Sequence, residues 1–231
     1  MPLKVYNFFF KTIKTINIKK IAISFLTLFV TVSMISATVN PPVKMAVDAA
    51  KSTVKWTGTK ISGTHTGMIK IKSGELVMDQ NNLTGGMIEI DMTTITNTDM
   101  QGEYSDKLVG HLKADDFFGV DKFPTASLKI TSVTPKSNGN FTVKGDLTIK
   151  GISNPIEFDA MVDATKKKAT SKIAIDRTKY NIKYGSSSFF DNLGDKAISN
   201  NFDLDIELAL APVATAQKAK AQTKKKATMK K

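Results

Sequence analysis

From Thr53 to Leu210, apolar residues return at every second position far more often than at the 3.6-residue spacing of a helix, and that period predicts strands. The clearest stretch is Asn201 to Leu210. Phe202, Leu204, Ile206, Leu208 and Leu210 share one face, while Asp203, Asp205 and Glu207 share the other. A strand with one dry and one wet face belongs to an antiparallel sheet wrapped around an interior. Runs of the same kind occupy Thr53–Lys60, Met68–Lys72, Glu75–Asp79, Gly86–Ile95, Ala126–Thr134, Asn140–Ile149, Ile156–Val162 and Ser171–Asp176. Turn-forming residues separate many of them: Asn81-Asn82, Ser137-Asn138-Gly139 and Ser153-Asn154-Pro155. Many short strands punctuated in this way predict a sandwich or a barrel. A barrel of about eight strands is just wide enough to be filled by side chains or to hold one small ligand. Periodicity does not decide between the two.

One stretch departs from the alternation. Ser105 to Asp116 places Leu108 and Leu112 four apart, with Tyr104 one turn earlier and Phe117-Phe118 just beyond. Ser105 as N-cap with Asp106 in the first turn predicts a short amphipathic helix across the barrel, its Tyr/Leu/Leu stripe facing inward.

Charge separates the ends from the middle. Residues 1–37 carry five lysines and no acid, and within them Ile21 to Ile35 is fifteen residues long and uncharged. A basic start followed by an apolar run of that length, then Ser36-Ala37, predicts a secretory signal peptide over residues 1–37. An uncleaved anchor is the alternative. Residues 211–231 carry seven lysines, no acid and almost no large apolar residue, which predicts a disordered tail. Between the ends lie 21 basic and all 21 acidic residues, so the net charge of +12 belongs to the ends. The folded part is neutral, and nucleic acid is not expected as a partner. Cysteine is absent, which removes disulfides, thiol catalysis and cysteine-ligated metals. The resulting organisation is a leader over 1–37, a linker over 38–46, a barrel over 47–210 and the basic tail over 211–231.

Several spaced motifs then carry a resemblance. Lys107 to Pro124 (KLVGHLKADDFFGVDKFP) and the following Thr125–Ile130 resemble the helix-to-strand passage of the YceI-like family. Gly145–Gly151 (GDLTIKG) followed by Asn154-Pro155-Ile156 resembles its central hairpin, and Ile175–Tyr180 (IDRTKY) its arginine-containing strand end. Val54-Lys55-Trp56 and Gly63–Gly67 (GTHTG) sit where that family has its opening strands. The resemblance spans about residues 47–210. It implies an all-β fold with one short helix: an antiparallel, lipocalin-like β-barrel of about eight strands with an apolar cavity. It also implies a periplasmic or secreted protein that binds a polyisoprenoid or related lipid without catalysis, and by analogy it allows a homodimer. Asn181 stands where the family often has glycine, and asparagine tolerates the left-handed backbone that glycine would supply.

Arg177 is the only arginine among 33 basic residues, which points to a place where a planar guanidinium is needed and lysine does not serve. It either contacts a polar lipid head or clamps the strand end, with Asp176 or Asp195 as a partner. His65 and His111 are the only histidines; with Asp115 they are too few for a zinc site, and no motif sets a nucleophile beside them. Phe117-Phe118 and Phe189-Phe190 are neighbours that, in extended chain, cannot both face inward. The cavity reading assigns ligand contact to Trp56, His65, Leu108, Leu112, Phe117, Phe118, Phe123, Arg177 and Tyr180. It assigns no catalytic or metal-binding residue and no cofactor beyond a bound isoprenoid-type lipid. Two rival readings remain: an enzyme using the same cavity on a lipid-like substrate, or a filled barrel whose basic tail binds anionic envelope surfaces.

Overall fold

The computed structural model describes residues 41–213; the expected leader and most of the expected basic tail lie outside the described residues. Strands β1 (Val43–Val47), β2 (Thr53–Lys60), β3 (Gly63–Asp79) and β4 (Asn82–Asn97) are followed by helix α1 (Gly102–Lys113). Then come β5 (Thr125–Pro135), β6 (Asn140–Ile149), β7 (Ile152–Asp163), β8 (Lys168–Asp176) and β9 (Ile198–Pro212). A 3-10 turn, Arg177–Tyr180, follows β8 directly.

The strands close into an antiparallel barrel. β2 pairs with β9, and the order continues β8, β7, β6, β5, β4 and β3 back to β2. Eight staves complete the ring because β1 and β2 share one. β1 lies between β3 and β9 at one end, and β2 lies between the same two strands further along. The turn that joins them is tied to β9: Asp48 N–H donates to Ala209 O, and Ala209 N–H donates to Ser52 Oγ. A side-chain oxygen thus patches the ladder where the backbone leaves it.

Most of the expected strands are present and longer. Met68–Lys72 and Glu75–Asp79 are two parts of β3, joined through a bulge against β4. β1 includes residues 43–46, assigned above to a linker, and β9 runs on to Pro212, past the expected limit at 210. Five residues give too short an alternation to stand out as a strand. Ser153-Asn154-Pro155 is not a turn. It lies inside β7, opposite Asp146–Thr148 of β6, and the turn falls at Lys150-Gly151, where both residues have positive φ. Pro155 is tolerated because β7 pairs with β8 only over Ala160–Asp163, leaving the other edge of β7 open at its level.

The helix starts earlier than its sequence indicated. Gln101 is its N-cap, without a side-chain cap, and Ser105 lies inside it. Its stripe does not face inward as a unit: Tyr104 is 75% exposed, and of the three residues only Leu112 packs against the core. α1 packs beside β4, and Leu112 of its last turn reaches the core. From there Phe118 N–H donates to Leu112 O and Val120 N–H to Lys113 O, which folds the following residues back over the barrel end.

The barrel is hollow. Ile90, Leu147, Leu204 and Phe202 point into the ring but are only half-buried. The surface they keep faces an internal cavity that they line. At the helix end Trp56 lies across Gly67, and its indole N–H donates to Thr96 O at 3.0 Å. A Cβ on residue 67 would fall on the Thr96 carbonyl oxygen and 2.5 Å from the Trp56 ring. Gly67→Ala should therefore cost about 3 kcal/mol through overpacking, measured as a lower urea midpoint at unchanged slope.

Candidate functional site

Among the described residues, three apolar chambers adjoin inside the barrel. The first, about 130 Å³, lies at the helix end, between Trp56, Met92, Leu112, Phe117, Phe118 and Phe202 among others. The second, about 70 Å³, shares Val54, Ile90, Ala126, Leu147, Ile175 and Leu204 with the first. The third, about 60 Å³, shares Ile88, Leu128, Phe158, Ile173, Ile206 and Leu208 with the second. The shared walls make them neighbouring chambers of the barrel interior, its bore. For scale, an engineered cavity of about 150 Å³ takes one benzene.

Aromatic rings close the helix end. Phe117 and Phe118 meet edge to face with centroids 5.2 Å apart, and Phe118 meets Phe202 at 6.1 Å. Both neighbours line the bore because they sit in a tight turn after α1 rather than in extended chain. Phe189 and Phe190 both lie outside it, 47% and 50% exposed.

Arg177 forms the inner wall at this end and is 2% exposed. Its guanidinium donates only to main-chain carbonyls: Nε to Ser199 at 2.9 Å, one terminal nitrogen to Ile182 at 2.8 Å and Tyr184 at 2.9 Å, the other to Ile198 at 3.0 Å. Asp176 does not pair with it. That carboxylate caps the 3-10 turn, accepting from Thr178 N–H and Thr178 Oγ1. Burial lowers the Arg177 pKa, and the nearby Asp176 charge partly opposes the shift. The face of Phe117 lies 5.8 Å from the guanidinium carbon. Arg177 is thus a backbone clamp, the structural one of its two expected roles. Asn181, just after the turn, adopts the left-handed conformation its position requires, with φ 58°.

Of the nine residues expected at the ligand, Trp56, Leu112, Phe117, Phe118 and Arg177 line the bore. His65, Leu108, Phe123 and Tyr180 do not. Leu108 is half-buried on α1 but does not reach the core. Phe123 packs outside, against Gly119 and Gly151. Tyr180 is buried within the core packing, and that burial, followed by the Asp176 charge, raises its pKa. His65 sits at the rim, its Nδ1 2.8 Å from Asp99. Burial pushes the Asp99 carboxyl up, but hydrogen bonds from Thr66 N–H, His65 and Asn97 outweigh it and hold the pKa below the usual range. His111 lies 3.4 Å from Asp116 and stacks edge-on with Tyr184. Residues missed from the sequence, such as Ile90, Ala126, Leu147 and Leu204, are ordinary inward positions of their strands. Only the alternation itself marked them.

The family model of the YceI-like domain matches residues 45–210. A UPF0312 protein of Shewanella denitrificans is 33% identical over 87 residues, 38% of this chain and 44% of that protein. A UPF0312 protein of Vibrio parahaemolyticus is 33% identical over 88 residues, again 44% of its length. The chain thus spans less than half of the curated relatives it matches. Among solved structures, BcnA of Burkholderia cenocepacia superimposes with a TM-score of 0.59 at 18% identity, over 71% of this chain and 99% of BcnA. A polyisoprenoid binding domain from Saccharophagus degradans superimposes with a TM-score of 0.52 at 14% identity, over 75% of this chain and 100% of that domain. These likenesses concern the fold.

Arg177→Leu leaves four carbonyls without their donor and should lower stability by about 4 kcal/mol in urea titrations. Arg177→Lys should recover little of it, because one ammonium cannot span two pairs of carbonyls. The lowered pKa of Asp99 gives a second prediction. Its contribution to stability is complete above the ordinary aspartate pKa of about 3.9 and is lost as pH falls through the lower folded value. The stability difference between wild type and Asp99→Asn should therefore hold constant near neutrality and shrink below about pH 4, followed by thermal melts across pH.

Proposed function

This chain belongs to the YceI-like domain family, and on that premise we propose that its barrel encloses the hydrocarbon chain of an amphiphilic lipid, a polyisoprenoid or a similar single chain. The observation that carries the proposal is the set of adjoining apolar chambers, walled by inward residues that would otherwise bury their surface against one another. Enclosing a chain there gains about 0.8 kcal/mol per methylene removed from water. The polyisoprenoid binding domain of Saccharophagus degradans supports the choice of ligand through the shared fold.

Binding without chemistry fits the bore better than catalysis. A catalyst needs a titratable group facing its substrate. Each histidine has a carboxylate beside it, but neither histidine lines the bore, and Arg177 spends its donors on the backbone. A hollow interior also speaks against a barrel that serves only as a filled scaffold. The cell envelope is the compartment that the leader-like residues 1–37 favour.

Organic extraction of the purified protein, followed by mass spectrometry, tests the proposal. A stoichiometric single-chain lipid is the expected result. An empty extract together with no uptake of added isoprenoid alcohols would overturn it. Ala126, shared by the first two chambers, gives a local check. Ala126→Phe should weaken binding of a C20 isoprenoid at least tenfold while the protein still melts cooperatively.

A further inference from the structure

Nine large apolar side chains are exposed among the described residues, and four of them lie together. Ile61 is 69% exposed in the turn between β2 and β3, while Tyr184, Phe189 and Phe190 stand on the segment that joins β8 to β9. Backbone hydrogen bonds draw the two places into one face. Ile61 N–H donates to Ala197 O and Ile198 N–H to Gly185 O, and Ile61 shares the walls of one surface recess with Ser187 and Ser188. Just beneath, β9 bulges against β2, with Gly58 paired to Phe202 and Lys60 to Ile198. The other five are scattered. Met87 and Met161 are single residues of β4 and β7, Tyr104 is on α1, and Val43 and Val213 lie at the far end of the barrel.

The turn that carries the two phenylalanines is anchored. Phe189 and Phe190 N–H both donate to Ser186 O at 3.0 Å, and Ser186 is fully buried with its Oγ 2.6 Å from Asn200 Oδ1. Both rings are thereby held half out in water, at a free-energy cost that an apolar partner would remove. Two observations identify the partner. Lysines stand beside the apolar tips: Lys60 next to Ile61, and Lys183 with its ammonium 4.8 Å from the centre of the Phe189 ring. Aromatic rings with lysines beside them suit a membrane interface, where the rings sit at head-group level and the ammonium groups reach out to the phosphates. The face also adjoins the aromatic end of the barrel. Tyr184 meets His111 at 4.4 Å, His111 meets Phe117 at 5.6 Å, and Phe117 walls the first chamber. Asp191 and Asp195 lie on the same segment as Lys183 and Lys196, so apolar contact rather than net charge supplies the attraction.

We propose that this face docks the barrel on a lipid bilayer, helix end first. Ile61, Phe189 and Phe190 enter the interfacial layer, and Lys60 and Lys183 lie level with the phosphates. The membrane then meets the end of the protein behind which the first chamber lies. The choice of a bilayer rests on the lipid-binding reading above, since a chain too apolar for water is held in membranes.

The chain has no cysteine, so one introduced cysteine takes a single environment-sensitive fluorophore. Ser187→Cys places it in the docking face, and Ser137→Cys places it in the turn between β5 and β6 at the far end; both positions are exposed. The full-length protein is mixed with phosphatidylcholine vesicles carrying a nitroxide-labelled lipid. The probe at 187 should shift to the blue and be quenched by the nitroxide, and the probe at 137 should do neither. Because the probe is local, membrane binding by other parts of the chain does not imitate this result. The response should persist in about 0.5 M salt, which screens charge and leaves apolar contact in place. Phe189→Ser together with Phe190→Ser should cut the response at 187 about tenfold, and Ile61→Ser, on a separate turn, about threefold, while the protein still melts cooperatively. A silent probe at 187, equal responses at 187 and 137, or a response that survives all three substitutions would overturn the docking face. A dimer in solution that the same substitutions split would give the face to a second copy and overturn it as well. Lipid extraction separates the two readings: a lipid-filled protein with a silent probe keeps enclosure and loses docking. An empty protein that takes up no isoprenoid but responds at 187 keeps docking and loses enclosure.

Discussion

Four main-chain carbonyls converging on one buried guanidinium hold the mouth of this barrel together. The carbonyls of Ile182 and Tyr184 belong to the segment after β8, and those of Ile198 and Ser199 to the start of β9. None of these groups has a place in the sheet ladder, and each would cost free energy if left dry and unpaired. A planar fork with five donors serves them together; an ammonium would not. The charge is carried by aligned carbonyl dipoles and by the Phe117 face rather than by a carboxylate. That arrangement frees Asp176 to cap its own turn. The only arginine of the chain therefore stands at the one point where loop, bulge and bore meet.

A hollow barrel gives up packing energy. At about 24 cal/mol per Å³, a void of 130 Å³ corresponds to roughly 3 kcal/mol relative to a filled core. Ring closure compensates, since no strand is left with a free edge along its whole length and nearly every backbone group within the ladder is paired. The exception is the lower part of β7, where pairing with β8 stops at Ala160. There Ser171 Oγ donates to Asp159 O and Asn154 Nδ2 to Lys179 O, so side chains span a seam that the backbone does not. Any chain that fills the bore recovers part of the missing packing, and occupancy and stability are coupled by mass action.

The fold was largely legible because alternation is strict wherever one face is wet. Asp203, Asp205 and Glu207 cannot turn inward, and a slip by one residue would put all three into the bore. That constraint fixed β9 from its residues alone. β1 was hidden because five residues carry too little period, and Pro155 misled because proline is compatible with a strand whose other edge is open. The aromatic end of the bore was visible through the Lys107–Pro124 motif. Its lower walls were not, since Ala126 or Leu147 facing a void reads the same as Ala126 or Leu147 facing a core. Arg177 was singled out by its rarity, but rarity does not tell a clamp from a ligand contact. The direction of its donors does.

The same alternation keeps the polar face of the sheet apart from so dry an interior. While the ladder is regular, inside and outside are separated by the sheet itself, and several outward lysines pair with acids across the strands, as Lys172 pairs with Asp205. A bulge breaks that rule locally. Three residues of β9 face one of β2, and the polar groups of Ser199 and Asn201 edge the interior. Arg177, which satisfies the carbonyls that the irregularity leaves over, is what makes it affordable in a folded protein.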